Sequence, residues 1–398
     1  MATKIGAGYS NITNSHSAGI AAANAAIENG NITQSSFALL FCSGKHNAEE
    51  FSAGVHGVLG NIPMAGGTAM GVFTSDHFSY EGFEVMVTVI ESDTLTFKVL
   101  NQPDIDLNEY DAGVALGKQI KEVATEKDNN LLLFYDSAKS QNPPMLNFGT
   151  LLIAGIEQNL PSEMITAGGG FLGDMLLSPC YQFVNDQVLT QNAIAILIGN
   201  CTMVTTIMHG CRPSSSYLTI TKTNGPVILE IDNRPALDVI DELVGGSGLK
   251  WKDFAYFITF GINRGDKFGT FNEELYANRL TLAVDEANKA LIMFEPDLKA
   301  GDEVQLMRRS FDLDYVYKNV ENIIQKLNDK KPLFAFYINC GGRAKPYAGG
   351  TFEDVEEIQK AFVGKMPFMG FYSGVEIAKV GNTLQPLDWT GVLCMFSE

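Results

Sequence analysis

The chain has 398 residues, with 28 lysines and arginines against 46 aspartates and glutamates, so its formal net charge at pH 7 is −18. This balance excludes nucleic acid as a partner, because nucleic acids bind concentrated basic surfaces and the sequence contains no run of Lys or Arg. Hydrophobic residues at 45% and 39 glycines describe an ordered protein with many turns, and the length predicts two domains.

The N-terminus and the cysteines both indicate a cytoplasmic protein. Residues 1–10 lack the basic-then-apolar order of a signal peptide. Apolar stretches such as Ala193–Ile198 are too short to cross a bilayer, so we expect no membrane insertion. The six cysteines are scattered without paired spacing, which is typical of a reduced compartment and argues against a thiolate zinc site.

Several helices are predicted from their caps and from apolar spacing. The predicted N-cap residues in the first third of the chain are Asn14 or Ser15, Asn47 and Asn108. The second of these precedes Ala48–Leu59, and the third precedes a helix that runs through Ala124. Further along, Leu313–Leu327 has apolar residues at three- and four-residue spacing, which predicts an amphipathic helix.

A strand–helix–strand–strand pattern occurs three times along the chain. Its copies begin at Phe37, Leu131 and Leu333, and the short second strand of each copy breaks into glycine, at Gly66, Gly168 and Gly370. Repeated modules place such glycines and the polar strand ends at equivalent points of one architecture. Because strands alternate with helices early in each copy and run consecutively later, we predict an α/β or α+β protein with mixed sheets, made of two domains built from these modules.

The segment Gly168-Gly-Gly-Phe-Leu-Gly173 matches the G-x-G-x-x-G spacing of dinucleotide-binding sites. In such a site a helix begins at the glycines and its amides face the pyrophosphate. Here Pro179 soon follows and would end a helix, so a tight turn with positive φ is the favoured interpretation. Gly168 and Gly169 remain candidates for contact with a ligand.

The five histidines show no metal-pair spacing, and no mononuclear metal site is expected. A single imidazole is nevertheless enough to be the axial ligand of a haem. His209, in a turn beside Gly210 and Arg212, is the candidate for that role. A histidine in the core or on the surface is the alternative.

Cys340-Gly-Gly-Arg343 ends the first strand of the third copy. A guanidinium and backbone N–H groups could lower the pKa of the Cys340 thiol and make it a nucleophile. Catalysis would also need a base, and the nearest histidine in sequence is His209. A buried structural cysteine is the alternative.

Arg212, Arg343 and Glu376 are flanked by glycine-rich turns and apolar strands rather than by polar runs. Charges in such places orient small ligands, with a guanidinium for a carboxylate and a carboxylate for an amine. Tyr372 and Ser373 belong to the same turn as Glu376. The alternative is an intramolecular Arg–Glu pair between modules.

Asn339-Cys-Gly-Gly-Arg343 and the later segment Met366–Val380, which contains Gly-Phe-Tyr-Ser-Gly-Val-Glu-Ile, resemble the C-terminal half of the FIST sensory-domain family. Met208–Pro213 and Arg234–Ile240 are similar to that family's central connection, and Ala167–Gly170 with the first module to its N-terminal half. The resemblance divides the chain into an N-terminal domain at residues 1–222 and a C-terminal domain at residues 223–398.

The resemblance implies a cytoplasmic, non-catalytic input protein of bacterial signalling that binds a small ligand such as an amino acid or a carboxylate. Its signal would pass to a separate partner, such as a histidine kinase, and no cofactor is expected for this function. Some free-standing members of the family bind haem and sense nitric oxide, which is the first alternative, with His209 as ligand. A thiol enzyme using Cys340 is the second alternative.

Overall fold

A computed structural model describes residues 3–246, 248, 250–251, 255–310, 313–348 and 353–398. The described residues form helices packed on mixed sheets, which confirms the predicted α/β class. No helix in these ranges has the length and the apolar character needed to cross a membrane.

The first module covers residues 4–91. Its elements in chain order are β1 (Lys4–Ser10), α1 (Ser15–Gly30), β2 (Phe37–Ser43), α2 (Ala48–Leu59), β3 (Met64–Ala69), β4 (Gly71–Thr74), β5 (Phe78–Ser79) and β6 (Val85–Glu91). The side chain of Asn14 accepts from Ser17 N and that of Asn47 from Glu50 N, so both predicted caps are confirmed.

The second module covers residues 96–199 and begins with the same order of elements. It contains β7 (Thr96–Gln102), α3 (Glu109–Val123), β8 (Asn130–Asp136), β9 (Ala138–Ser140), β10 (Met145–Leu146), α4 (Gly149–Glu157), β11 (Ile165–Phe171), β12 (Gln182–Val184), β13 (Gln187–Leu189) and β14 (Ala193–Gly199). The predicted cap Asn108 accepts from Asp111 N.

A β-rich insertion follows the first strand of the third module, β15 (Thr202–Met208). The insertion contains β16 (Cys211–Pro213), β17 (Leu218–Asn224), β18 (Val227–Ile231), β19 (Arg234–Pro235), α5 (Ala236–Leu243), β20 (Thr259–Asn263), β21 (Tyr276–Asp285), β22 (Ala290–Met293) and β23 (Glu303–Arg309). Its strands are paired in the order β23-β17-β18-β22-β21-β20, and β20 pairs again with β23. The insertion is therefore a closed barrel.

The third module resumes after the barrel. Its remaining elements are α6 (Asp314–Lys326), β24 (Pro332–Cys340), α7 (Lys345–Ala348), α8 (Asp354–Phe362), β25 (Phe368–Ser373), β26 (Val375–Val380), β27 (Thr383–Leu387) and β28 (Gly391–Ser397). The amphipathic helix predicted at Leu313–Leu327 is confirmed as α6.

Within the described ranges, the three modules form six-stranded sheets with one common strand order. These are β1-β6-β2-β3-β12-β13, β7-β14-β8-β11-β26-β27 and β15-β28-β24-β25-β4-β5. In each sheet the two middle strands are parallel and all other neighbours are antiparallel. The last two strands of each sheet are a hairpin that comes from another module. The second module contributes β12-β13 to the first sheet, the third contributes β26-β27 to the second sheet, and the first contributes β4-β5 to the third sheet. Strands from both sides of residue 222 are thus paired, and the modules are interlocked.

The inner faces of the sheets meet in a common core, and two helices cover the outer face of each sheet. Phenylalanines from all three modules pack at the centre, with ring centroids 4.5 to 6.4 Å apart. They are Phe41, Phe134, Phe171, Phe336 and Phe371. Burial of so many large apolar side chains is the main force that holds the modules together.

Each sheet has one of the three predicted glycines, at an equivalent position on the second strand of its parallel pair. A Cβ atom on any of them would lie within 2 Å of a backbone carbonyl oxygen of the neighbouring strand, namely Gly66 with Leu40 at 1.8 Å, Gly168 with Leu133 at 1.7 Å and Gly370 with Tyr337 at 1.9 Å. Gly168 is therefore required for close strand approach. It lies inside β11 and not in a turn, and no helix begins after it, so neither interpretation of the G-x-G-x-x-G segment applies.

Charged and polar groups dock the barrel onto the second and third modules. The fully buried Arg279 places Nη2 2.6 Å from Asp297 Oδ2 and donates from Nη1 to Pro386 O at 2.9 Å. Glu295 accepts from Gly149 N at 3.0 Å and Thr150 N at 2.9 Å. These amides belong to the first turn of α4, where backbone N–H groups have no partner within the helix.

This docking makes stability depend on pH. Burial and the nearby Asp388 raise the pKa of Glu295 to about 8, whereas a glutamate in an unfolded chain has a pKa of about 4.3. Between these values the folded state binds more protons than the unfolded state, so the free energy of unfolding falls as pH rises from about 5 to about 8.

Chemical denaturation at pH 6, 7 and 8 checks this expectation. In Glu295→Gln the free energy of unfolding should fall less steeply with pH, by up to roughly 1.4 kcal/mol per pH unit. The same change at the exposed Glu126 should leave this pH dependence as in the wild type. An unaltered slope in Glu295→Gln would show that Glu295 does not titrate in this range.

Candidate functional site

A cavity of about 480 Å³ opens where the barrel joins the third module. Its walls are the chain crossing from β15 into β16, the loop before β21, and the first turns of α6. We call it the Arg212 pocket, and its lining includes Gly210, Arg212, Phe271, Glu273, Glu274, Tyr315, Lys318 and Asn319. Its volume lies within the range of small-molecule sites.

Arg212 and Lys318 are both exposed cations of this pocket, and Arg212 is the one held on an aromatic ring. Its guanidinium carbon lies 5.6 Å from the centroid of the Phe271 ring, a cation–π contact that holds the side chain against the pocket wall. The Arg212 backbone is fixed because β16 pairs with β23, opposite Arg308. A positioned, solvent-accessible guanidinium is suited to a carboxylate or another planar oxyanion.

The acidic side of the pocket is built around Glu273. Its Oε1 accepts from His209 N at 2.7 Å and Gly210 N at 2.6 Å, and its Oε2 accepts from Asn319 Nδ2 at 2.8 Å. Glu274 accepts from Thr206 Oγ1 at 2.6 Å. These bonds fix two carboxylates in the pocket that contains Arg212.

Arg343 lies behind the pocket wall and is fully buried. Each of its N–H groups has a partner. Nε donates to Asn339 Oδ1 at 3.0 Å, Nη1 to His209 O at 3.0 Å and Trp389 O at 3.1 Å, and Nη2 to Tyr315 OH at 2.9 Å and to Asp354 Oδ2. The role predicted for Arg343 is therefore corrected, because no donor is left to orient a bound anion in this structure. Arg343 instead joins the pocket wall to the core.

Asp354 is the counter-ion of Arg343 and is also fully buried. Burial alone would raise the pKa of its carboxyl, but the Arg343 guanidinium and hydrogen bonds from Arg343 and Tyr337 outweigh burial and lower it. Tyr337 donates to Asp354 Oδ2 at 2.6 Å. The Arg–Glu pair considered from the sequence is thus an Arg–Asp pair inside the third module.

The third module also contains Tyr372 and Ser373, in β25, and Glu376, in β26. All three are buried, and none lines the Arg212 pocket. Tyr372 donates to Glu353. Ser373 Oγ lies 2.7 Å from Glu376 Oε1, and Glu376 Oε2 accepts from Thr390 N at 3.1 Å. Burial raises the pKa of Glu376 well above its usual range. Because Glu376 is fully buried away from the pocket, it is not placed to contact a ligand amine there.

Cys340 and His209 are equally enclosed. Cys340 is buried, and burial raises the pKa of its thiol well above the ordinary value, which is the opposite of an activated nucleophile. His209 Nδ1 accepts from Cys211 N at 2.9 Å, and Nε2 lies 3.3 Å from Glu273 O. Both ring nitrogens are thus engaged and the side chain is fully buried, so the surroundings of His209 do not fit a haem.

Gly168 and Gly169 also lie away from the Arg212 pocket. A Cβ atom on Gly169 would be 2.7 Å from Val375 O and 2.9 Å from Ile338 Cγ2. This glycine allows β26 and β24 to approach β11. Of the predicted site residues, Arg212 alone is found among the pocket-lining residues.

Sequence reasoning missed Tyr315, Glu273 and Asp354. Their partners lie 28, 64 and 11 residues away, so no local spacing links them. A weak signal was available for Asp354, since an acidic residue in the first turn of a helix is usual. Among the described residues, no group of three or more His, Cys, Asp or Glu side chains is arranged to hold a metal ion.

The Arg212 pocket thus lies at the joint between a barrel and an interlocked α/β core. The family models agree with the resemblance, because the FIST N domain matches residues 36–234 and the FIST C domain matches residues 236–379. The chain belongs to the FIST family. FIST domains are sensory domains of signal transduction.

Similar curated proteins come from mycobacteria. Uncharacterized protein Rv0628c of Mycobacterium tuberculosis is 24% identical over 263 residues, which cover 62% of this chain and 64% of that protein. Uncharacterized protein Mb0898c of Mycobacterium bovis is 22% identical over 256 residues, with the same coverage. The chain thus matches somewhat less than two thirds of the length of these relatives.

Among solved structures, a chain of PurLQS from Thermotoga maritima matches 99% of this chain and 72% of its own length. The identity is 8% and the TM-score is 0.23. This likeness carries no argument about fold or function.

Proposed function

We propose that this protein is a cytoplasmic, non-catalytic sensor of bacterial signalling that binds a small amino acid or carboxylate in the Arg212 pocket. Membership of a sensory-domain family supports the class of function. The observation that carries the ligand class is the exposed Arg212 guanidinium, held on Phe271 in a cavity that also contains Glu273 and Glu274.

The two sides of the pocket suit the two ends of an amino acid. Arg212 presents the fork that binds a carboxylate, and Glu273 and Glu274 provide acceptors for an ammonium group. In this proposal, Arg212 takes the carboxylate-binding role predicted for Arg343. Glu273 and Glu274 take the amine-binding role predicted for Glu376.

The pocket wall connects directly to the buried core. Gly210 and Tyr315 line the cavity, while the adjacent His209 carbonyl and the Tyr315 hydroxyl accept from Arg343. Arg343 is bound in turn to Asp354 at the start of α8. A ligand that shifts α6 or the segment between β15 and β16 would alter these bonds. We propose that a separate protein, such as a histidine kinase, binds the third module and responds to this change.

Replacing Arg212 by alanine should weaken ligand binding by roughly 10- to 100-fold, which is the loss expected for a charge-assisted contact. Thermal-shift screening of the amino acids and small carboxylates identifies the ligand through a rise in melting temperature, and calorimetric titration measures the loss. Arg234→Ala, at an exposed arginine of the barrel, is the matched control. A screen without a stabilising ligand, or equal affinity in Arg212→Ala, would contradict the proposal.

A further inference from the structure

A second cavity, of about 350 Å³, lies on another side of the barrel, at its contact with α4 and β27. Arg264 and Lys299 line it from the barrel, and Thr150 and Gln385 line it from the core. We call it the Gln385 pocket. It shares no lining residue with the Arg212 pocket.

Gln385 has a defined amide orientation. Its Oε1 lies 3.3 Å from Arg264 Nη2 and 3.5 Å from Arg279 Nη2, and only the oxygen of the amide can accept from two guanidinium groups. Gln385 is 5% exposed, and its Nε2 has no hydrogen-bond partner among the described residues. A buried donor without an acceptor is costly and rare.

The acidic residues of this pocket already have partners. Asp297 binds Arg279 through both oxygens, and Asp302 accepts from Lys299 N at 2.8 Å. Burial raises the pKa of Glu157, while Lys379 and the backbone at Leu384 counteract that effect. The unpartnered Gln385 amide nitrogen and the exposed cationic heads of Arg264 and Lys299 are therefore all able to donate.

We propose that the Gln385 pocket binds a compact oxyanion, a carboxylate or a phosphate, which accepts from Gln385 Nε2 and the Arg264 guanidinium. Such a ligand would contact the barrel and the core together. Its binding would therefore strengthen the docking that Arg279 and Glu295 provide, and the pocket would act as a second, effector-type site.

Calorimetric titration and thermal melting with sodium succinate and with inorganic phosphate test this inference, with sodium chloride at matched ionic strength as the reference. Both are done in the Arg212→Ala background, so that binding at the Arg212 pocket is weakened and the two proposals can fail separately. We expect saturable binding and a rise in melting temperature. Arg264→Ala should weaken the affinity at least about 10-fold.

Gln385→Glu is the sharper variant. It keeps an oxygen for Arg264 and Arg279 but replaces the donor by an acceptor, and it should abolish binding while the protein stays folded. Lys222→Ala, at an exposed lysine of the barrel, should bind as the parent does. Binding of succinate alone assigns a carboxylate, binding of phosphate alone assigns a phosphate, and binding of both supports the shared chemistry. No binding of either, or unchanged affinity in Arg264→Ala and Gln385→Glu, would overturn the proposal.

Discussion

Gly168→Ala is expected to lower the free energy of unfolding by about 3 kcal/mol or more and to leave little soluble protein. The added Cβ atom would lie 1.7 Å from Leu133 O, far inside van der Waals contact, and the obstacle is backbone that cannot rotate away. β8 and β11 would have to separate at the centre of the second sheet, where both strands are buried. Soluble yield and urea denaturation followed by circular dichroism measure the effect.

The matched control is Gly57→Ala in α2, where a Cβ atom would meet nothing within 4 Å. Alanine favours a helix over glycine by about 0.5–1 kcal/mol, so this variant should be slightly more stable than the wild type. If Gly→Ala destabilises the protein at residue 168 and stabilises it at residue 57, the loss at residue 168 is due to the close approach of β8 and β11. A stable, soluble Gly168→Ala variant would show that the two strands can separate without loss.

Arg343→Met should destabilise the protein by about 3–5 kcal/mol, because the change leaves the Asp354 carboxylate buried without its counter-ion. The carbonyl oxygens of His209 and Trp389 would lose their donor as well. Denaturant unfolding at pH 7 measures the loss.

Two further variants show whether the burial of the pair is responsible. Arg234→Met breaks an exposed ion pair with Glu242 and should have little or no effect. Combining Arg343→Met with Asp354→Leu removes the stranded charge and should recover part of the stability. A single Arg343→Met variant as stable as the wild type would mean that the pair does not hold the third module together.

Local elements could be predicted from the sequence because their signals are local. Asn14, Asn47 and Asn108 cap helices through side-chain oxygens that accept from the backbone three residues ahead. Apolar spacing identified α6 for the same reason. Mixed sheets followed from the order of strands and helices.

The exchange of hairpins could not be predicted in this way. β26 pairs with β11 and β4 pairs with β25, contacts that join segments far apart in sequence. Each of these strands is short, and nothing in its own residues specifies its neighbour. Closure of the barrel through β20 and β23 depends equally on tertiary structure.

The sequence could indicate only part of the candidate site, because it does not show which charged residues are buried. Arg343, Cys340 and Glu376 lie close to glycines in the sequence, a context that fits a ligand site and an interior polar network equally well. Only the fold shows that Asp354 and Tyr315 occupy the donors of Arg343. Arg212 lines the candidate site because β16 leaves its side chain exposed beside Phe271.

A crystal structure of the protein with the amino acid or carboxylate selected by thermal-shift screening tests the central claim most directly. We predict that the ligand lies in the Arg212 pocket, with its carboxylate within hydrogen-bond distance of the Arg212 guanidinium and with the Arg343–Asp354 pair still buried behind it. A ligand bound elsewhere, with the Arg212 pocket empty, or a ligand bonded to Arg343 itself, would contradict this account.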